Sequence, residues 1–119
     1  MFAYDETQLI EESSYTLEDT RRRLFGHDEN PYPLTEIHLG GVSLGYDGVR
    51  IVAYGLRHNT TVTKIDLSNN EDFGNEGTRI LVDGIHHNET LREINLDANN
   101  IGNDGAIALE EFLEHNVSL

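Results

Sequence analysis

The chain has 119 residues, no cysteine, and 22 acidic against 8 basic side chains, a formal net charge of -14. That length fits one domain with a real core. The missing cysteines exclude a disulfide framework, a thiol nucleophile and a thiolate metal site, and the charge disfavours nucleic acid and anionic membrane and favours a basic protein partner.

Residues 1–33 form an N-terminal stretch of their own. The start, MFAYDETQLIEE, has no basic n-region and no long apolar run, so no leader peptide is expected. No segment approaches the ~20 apolar residues that cross a membrane, and the expected location is cytoplasmic. Thr16-Leu-Glu-Asp19 resembles a capping box, with Asp where Glu or Gln is usual. It predicts a helix over 16–26. Leu24 and Phe25 are expected on the core, Gly26 at the helix stop, and Glu18–Arg22 and Asp19–Arg23 as ion pairs one turn apart. Such a helix serves as a cap, because the first unit of any stacked array exposes an apolar side and a sheet edge.

From Leu34 the sequence repeats itself. The units run 34–61, 62–90 and 91–118, and Leu119 starts a further one. Their columns agree: Leu34, Val62 and Leu91; Ile37, Ile65 and Ile94; Leu39, Leu67 and Leu96; Gly48, Gly77 and Gly105. Around Ile37, Ile65 and Ile94 apolar and polar residues alternate, which predicts a strand. After a G-x-x-G turn the spacing of Ile51, Val52 and Leu56, of Ile80, Leu81 and Ile85, and of Ala108, Leu109 and Leu113 is that of one helical face. Asp47, Glu76 and Asp104 suit the helix N-termini. Asn59, Asn88 and Asn116 are expected in the left-handed conformation that ends a helix.

The pattern L-x-x-L-x-L-x-x-N with a helix and a period of 28–29 residues resembles the leucine-rich repeat, in its longer ribonuclease-inhibitor-like subclass. Leu91, Ile94, Leu96, Asn99, Ile101, Gly102 and Gly105 fit it best, whereas Val42 stands where the first unit should have the Asn. The resemblance implies an α/β fold: a short right-handed solenoid of three strand–turn–helix units behind an N-terminal helical cap. It also implies a non-enzymatic protein-interaction scaffold that binds through the concave face of its sheet. An acidic helix, an Asn-Pro loop and then LTEIHL are similar to the lead-in of tropomodulin, the actin pointed-end capping family. That second resemblance implies a regulator of actin filaments as the alternative.

Other motifs have structural readings. Asn59-Thr-Thr, Asn88-Glu-Thr and Asn116-Val-Ser look like glycosylation signals, yet all three are the same helix-ending loop. DLSNNEDFGNEG spaces oxygens like a calcium loop, but Glu71 replaces the required Gly and Gly77 the closing Glu. His58 and His87 fall in one repeated column without a carboxylate to complete a metal site. No nucleophile elbow, P-loop or Cys–His pair occurs; no cofactor, metal or catalytic activity is expected.

The candidate site is therefore a surface. Alternation places Glu36 and His38, then Lys64, Asp66 and Ser68, then Glu93, Asn95 and Asp97 on the concave side. Strands about 4.8 Å apart stack them in rows, one of them a possible ion-pair ladder Glu36–Lys64–Glu93. A second expectation concerns the far end. Gly55 and Gly84 become Phe112, and Arg50 and Arg79 become Ile107. Either the chain is a fragment of a longer array, or two copies form a homodimer through the uncapped C-terminal end, with Ile107, Phe112 and Leu119 at the contact.

Overall fold

The structure is a computed structural model and describes residues 12–26, 32–71 and 73–115, with side chains up to residue 112. The elements run β1 (Ser13–Ser14), α1 (Leu17–Leu24), β2 (Glu36–His38), α2 (Gly45–Arg57), β3 (Lys64–Asp66), α3 (Gly74–Ile85), β4 (Glu93–Asn95) and α4 (Asn103–His115). The four strands form one parallel sheet in the order of the chain. Helices cover one side of it, which makes a right-handed α/β solenoid. Leu119 and Asn116 lie outside the described residues.

The core forms between sheet and helices. Each strand of the repeats sends one residue inward: Ile37 and Ile65 are fully buried and Ile94 packs against the same cluster. Leu39 and Leu67 follow on the same side, and Val52, Leu56, Leu81 and Ile85 meet them from the helices. Register is uniform: Glu36 pairs Lys64, which pairs Glu93, and His38 pairs Asp66, which pairs Asn95.

Two asparagine ladders hold the turns. At the strand-to-helix turn, the buried Asn70 side chain donates to the carbonyls of Leu39 (3.1 Å), Leu67 (2.8 Å) and Ser68 (3.1 Å) and accepts from the Leu44 amide at 3.0 Å. Asn99 donates to the Leu67 carbonyl at 2.9 Å and accepts from the Asn70 amide at 2.6 Å. Asn70 thus serves the turn before it as well as its own, and Asn99 serves the turn of Asn70 in the same way. That is why Val42 is tolerated in the first unit: Asn70 closes that turn from the next one. The second ladder ends the helices. Asn88 donates to the carbonyls of Leu56 and Asn59 and accepts from the amides of Thr90 and Leu91. The Thr of each N-x-T ties the unit backwards, Thr61 to the Leu34 carbonyl at 2.6 Å and Thr90 to that of Val62 at 3.1 Å.

Here four expectations change. Asn59 and Asn88 are not left-handed; that conformation falls in the strand-to-helix turn, at Gly41, Asn69 and Ala98. The asparagines end the helices by side-chain hydrogen bonds instead. Phe25 lies outside the core at 45% exposure, because the helix ends at Leu24 and turns it outward. And the N-terminal segment is not a helix alone. Residues 12–24 form a shortened repeat, a strand followed by a helix. The Glu12 carbonyl accepts from the amides of Thr35 (2.7 Å) and Glu36 (3.1 Å), as the Thr35 carbonyl does from Thr63 and Lys64 and that of Thr63 from Arg92 and Glu93. Ser14 takes the place of the buried isoleucine and bonds Thr20 at 2.7 Å, hydroxyl to hydroxyl. The cap helix begins as the sequence indicated, with the Thr16 hydroxyl accepting from the Asp19 amide. Its ion pairs are Glu18–Arg21 and Asp19–Arg23; Arg21, one residue short of Arg22, takes up Glu18.

Candidate functional site

The open face of the sheet, away from the helices, carries two complete rows of side chains. The register puts Ser13, Glu36, Lys64 and Glu93 in one row. His38, Asp66 and Asn95 form the next, with Tyr15, just past β1, stacked on His38, and Asp97 beyond Asn95. Alternation on each strand follows from its buried central residue, so Glu36 and His38, Lys64 and Asp66, and Glu93 and Asn95 all point away from the core. The sheet thus brings together seven of the eight residues that the sequence places on this face.

Ser68 is the exception. It is 8% exposed, and its hydroxyl lies 3.0 Å from where a Cβ on Gly40 would sit. Its amide donates to the Asp66 carboxylate at 2.9 Å and its carbonyl accepts from Gly41 and Asn70. Ser68 orients Asp66 and does not itself meet solvent. Its hydroxyl bonds the Asp66 carboxylate and lies close to Gly40, so neighbouring groups cover it. The Asn95 carboxamide accepts from the Asp97 amide in the same way at 3.0 Å.

The electrostatics are local. The hydroxyl of Ser68 above all, with its amide, His38 and Lys64, holds the Asp66 carboxyl below its usual value against the opposing effect of burial, so Asp66 is ionised at neutral pH. Lys64 lies 3.8 Å from Glu93. Glu36 does not complete a ladder: its carboxylate meets His38 Nε2 at 3.0 Å along its own strand. Tyr15 stacks on His38 with ring centroids 5.0 Å apart and an interplanar angle of 13°. The sequence reading missed Tyr15 because β1 is two residues long and has no repeat pattern; its signal is S-S-Y ahead of a capped helix.

The far end differs from expectation. Phe112 is 2% exposed and belongs to the core, so it is not available for a contact between copies. Its column faces the preceding helix. A Cβ on Gly55 would lie 2.6 Å from Leu24, and one on Gly84 2.3 Å from the Ala53 Cβ. Phe112 in that column lies against α3, where it lines a cleft of about 700 Å³ with Val82, His86 and Ala108. Ile107 is 52% exposed. Leu119 lies outside the described residues. Among the described residues no group of three His, Cys, Asp or Glu side chains is placed to hold a metal ion, and no helix is long and apolar enough to cross a membrane.

Residues 58–78 and 87–109 match the family model described as "Leucine Rich repeat". These two stretches are of the leucine-rich repeat type. Among solved structures, the fold is similar to the tropomodulin C-terminal domain of Caenorhabditis elegans, with a TM-score of 0.71 and 18% identity over 86% of this chain and 59% of that one. It is also similar to the leiomodin-1 actin-binding site 2, with a TM-score of 0.75 and 20% identity over 89% of this chain and 60% of that one. The chain thus spans about three-fifths of the length of each. No curated protein matches it.

Proposed function

We propose that this leucine-rich repeat chain is a non-enzymatic protein-interaction module, and that the open sheet face is its binding surface. The observation that carries this reading is the pair of side-chain rows on a hydrogen-bonded sheet, one in register across all four strands and one across β2 to β4, continued by the Tyr15 ring on His38. The rows mix carboxylates, an amine, an imidazole and an aromatic ring, groups that recognise a surface by hydrogen bonds and charge. The backbone beneath them is pinned by two asparagine ladders, so the face loses little conformational freedom on binding.

Actin is the partner we favour. The support is the fold shared with a domain described as an actin-binding site of leiomodin-1 and with the tropomodulin domain. The test is co-sedimentation with filamentous actin together with a pointed-end elongation assay. Asp66→Lys with Asp97→Lys should weaken binding about tenfold while shifting the unfolding midpoint by no more than ~3 °C, because changes on a solvated surface usually stay within about 0.5 kcal/mol. Wild-type protein that neither sediments with actin nor alters elongation would remove actin. A partner bound as tightly by the double variant would remove the sheet face.

A further inference from the structure

Tyr15 is 58% exposed yet held on every side that touches the protein. One ring face rests on His38. The backbone on its N-terminal side is fixed by Arg23, whose guanidinium is nearly buried and donates to the Ser13 carbonyl at 2.9 Å and to that of Tyr32 at 3.3 Å. Ser14 is locked inward by Thr20, and Glu12 carries the strand onto Thr35 and Glu36. A large aromatic ring kept at the surface in one orientation is a ready binding contact, because little entropy remains to be lost there.

The surroundings of the ring specify its occupant. Glu36 flanks His38 and the ionised Asp66 follows His38 on the next strand; Glu93 and Asp97 extend the negative side of the face. The one lysine among them is paired with Glu93. The free face of the ring attracts a cation through its quadrupole, and the carboxylates on the strands beyond His38 attract further cations through charge. A second anionic group would meet repulsion here, and a neutral aliphatic side chain would leave the carboxylates unmatched.

We infer that Tyr15 is the anchor of this face for a partner segment bearing several arginine or lysine side chains, one cation over the outer face of the ring and the next ones further along the face at Glu36 and Asp66. The inference rests on the reading of the sheet face as the binding surface and extends it to the N-terminal strand. The short β1 then does more than cover an edge: it supplies the aromatic end of the rows.

The experiment uses a fluorescein-labelled polyarginine peptide, with polyglutamate as control, followed by anisotropy at low salt. Tyr15→Ser should weaken polyarginine binding roughly threefold or more, while Tyr15→Phe keeps it. Asp66→Asn should also weaken it. Asp47→Asn, the same loss of charge on the helical side, should leave it within about twofold. Wild-type affinity in Tyr15→Ser, an equal loss in Asp47→Asn and Asp66→Asn, or equal binding of polyglutamate would each overturn the inference. The two readings fail separately. If Asp66→Lys with Asp97→Lys releases actin while Tyr15→Ser leaves polyarginine binding unchanged, the face stands and the anchor falls. If Tyr15→Ser weakens the peptide and wild-type protein ignores actin, only the actin partner falls.

Discussion

At the scale of single residues, the polar side chains divide into two populations with opposite duties. Asn70, Asn88 and Asn99 are all but buried and direct their hydrogen bonds at backbone groups that would otherwise be orphaned. Asp66, Asn95 and Asp97 lie on the sheet face, where their hydrogen bonds set orientation. The same residue type therefore differs widely in what its loss does. Asn70→Ala removes three donated bonds and the acceptor of the Leu44 amide, and should cost about 3 kcal/mol or more, since each buried group left unpaired costs about 1–3 kcal/mol. Asp66→Asn should cost under about 1 kcal/mol. Urea unfolding of both variants checks this; similar midpoints would show that the ladder is not what closes the turns. Asn88 illustrates the same point for modification: at 3% exposure its carboxamide is a structural cross-tie and not an acceptor for a glycan.

At the scale of elements, glycine decides how closely the helices approach. Gly48 and Gly55 lie seven residues apart on α2 and receive Leu17 and Leu24, seven apart on α1. Gly84 lets α3 sit against the Ala53 backbone of α2. Where the column turns to Phe112, the ring fills the space between α3 and α4 that a close approach would have removed. The two phenylalanines that the sequence singled out thus exchange roles. Phe112→Ala should cost about 3–5 kcal/mol, the usual range for a buried aromatic. Phe25→Ala, at an exposed site, should cost under about 1 kcal/mol. Thermal unfolding by circular dichroism separates them, and the reverse order would contradict the placement of both rings.

At the scale of the whole molecule, one core runs from the cap to α4, so stability is shared between neighbouring units and does not belong to any one of them. The cap contributes Leu17 and Leu24 to that core and closes the edge of β2 with β1. Removing residues 1–26 opens both the apolar side and the sheet edge at once. The truncated chain should lose about 10 °C or more in unfolding midpoint, given that ~1 kcal/mol moves a domain of this size by several degrees. A cooperative transition within ~3 °C of the intact protein would show that the first full repeat is self-sufficient.

The period of the sequence determined the repeats, the parallel sheet, its register and the sidedness of the rows, because these arise from side-chain alternation and helical spacing that recur unit by unit. Lys64 above Glu93 and His38 beside Asp66 were legible for that reason. What the tertiary structure decided lies where the repetition stops or where two units meet. The two-residue β1 is too short to show alternation, so Tyr15 reaches the sheet face only through the pairing of Ser13 with Glu36. Ser68 is hidden from solvent because its hydroxyl is taken up between Asp66 and Gly40 of the neighbouring unit. Phe112 reads as an exposed end only if its column faces outward; the contacts of Gly55 and Gly84 turn that column toward the preceding helix. A period fixes which residues share a face, but the neighbour against which that face packs fixes whether it meets water.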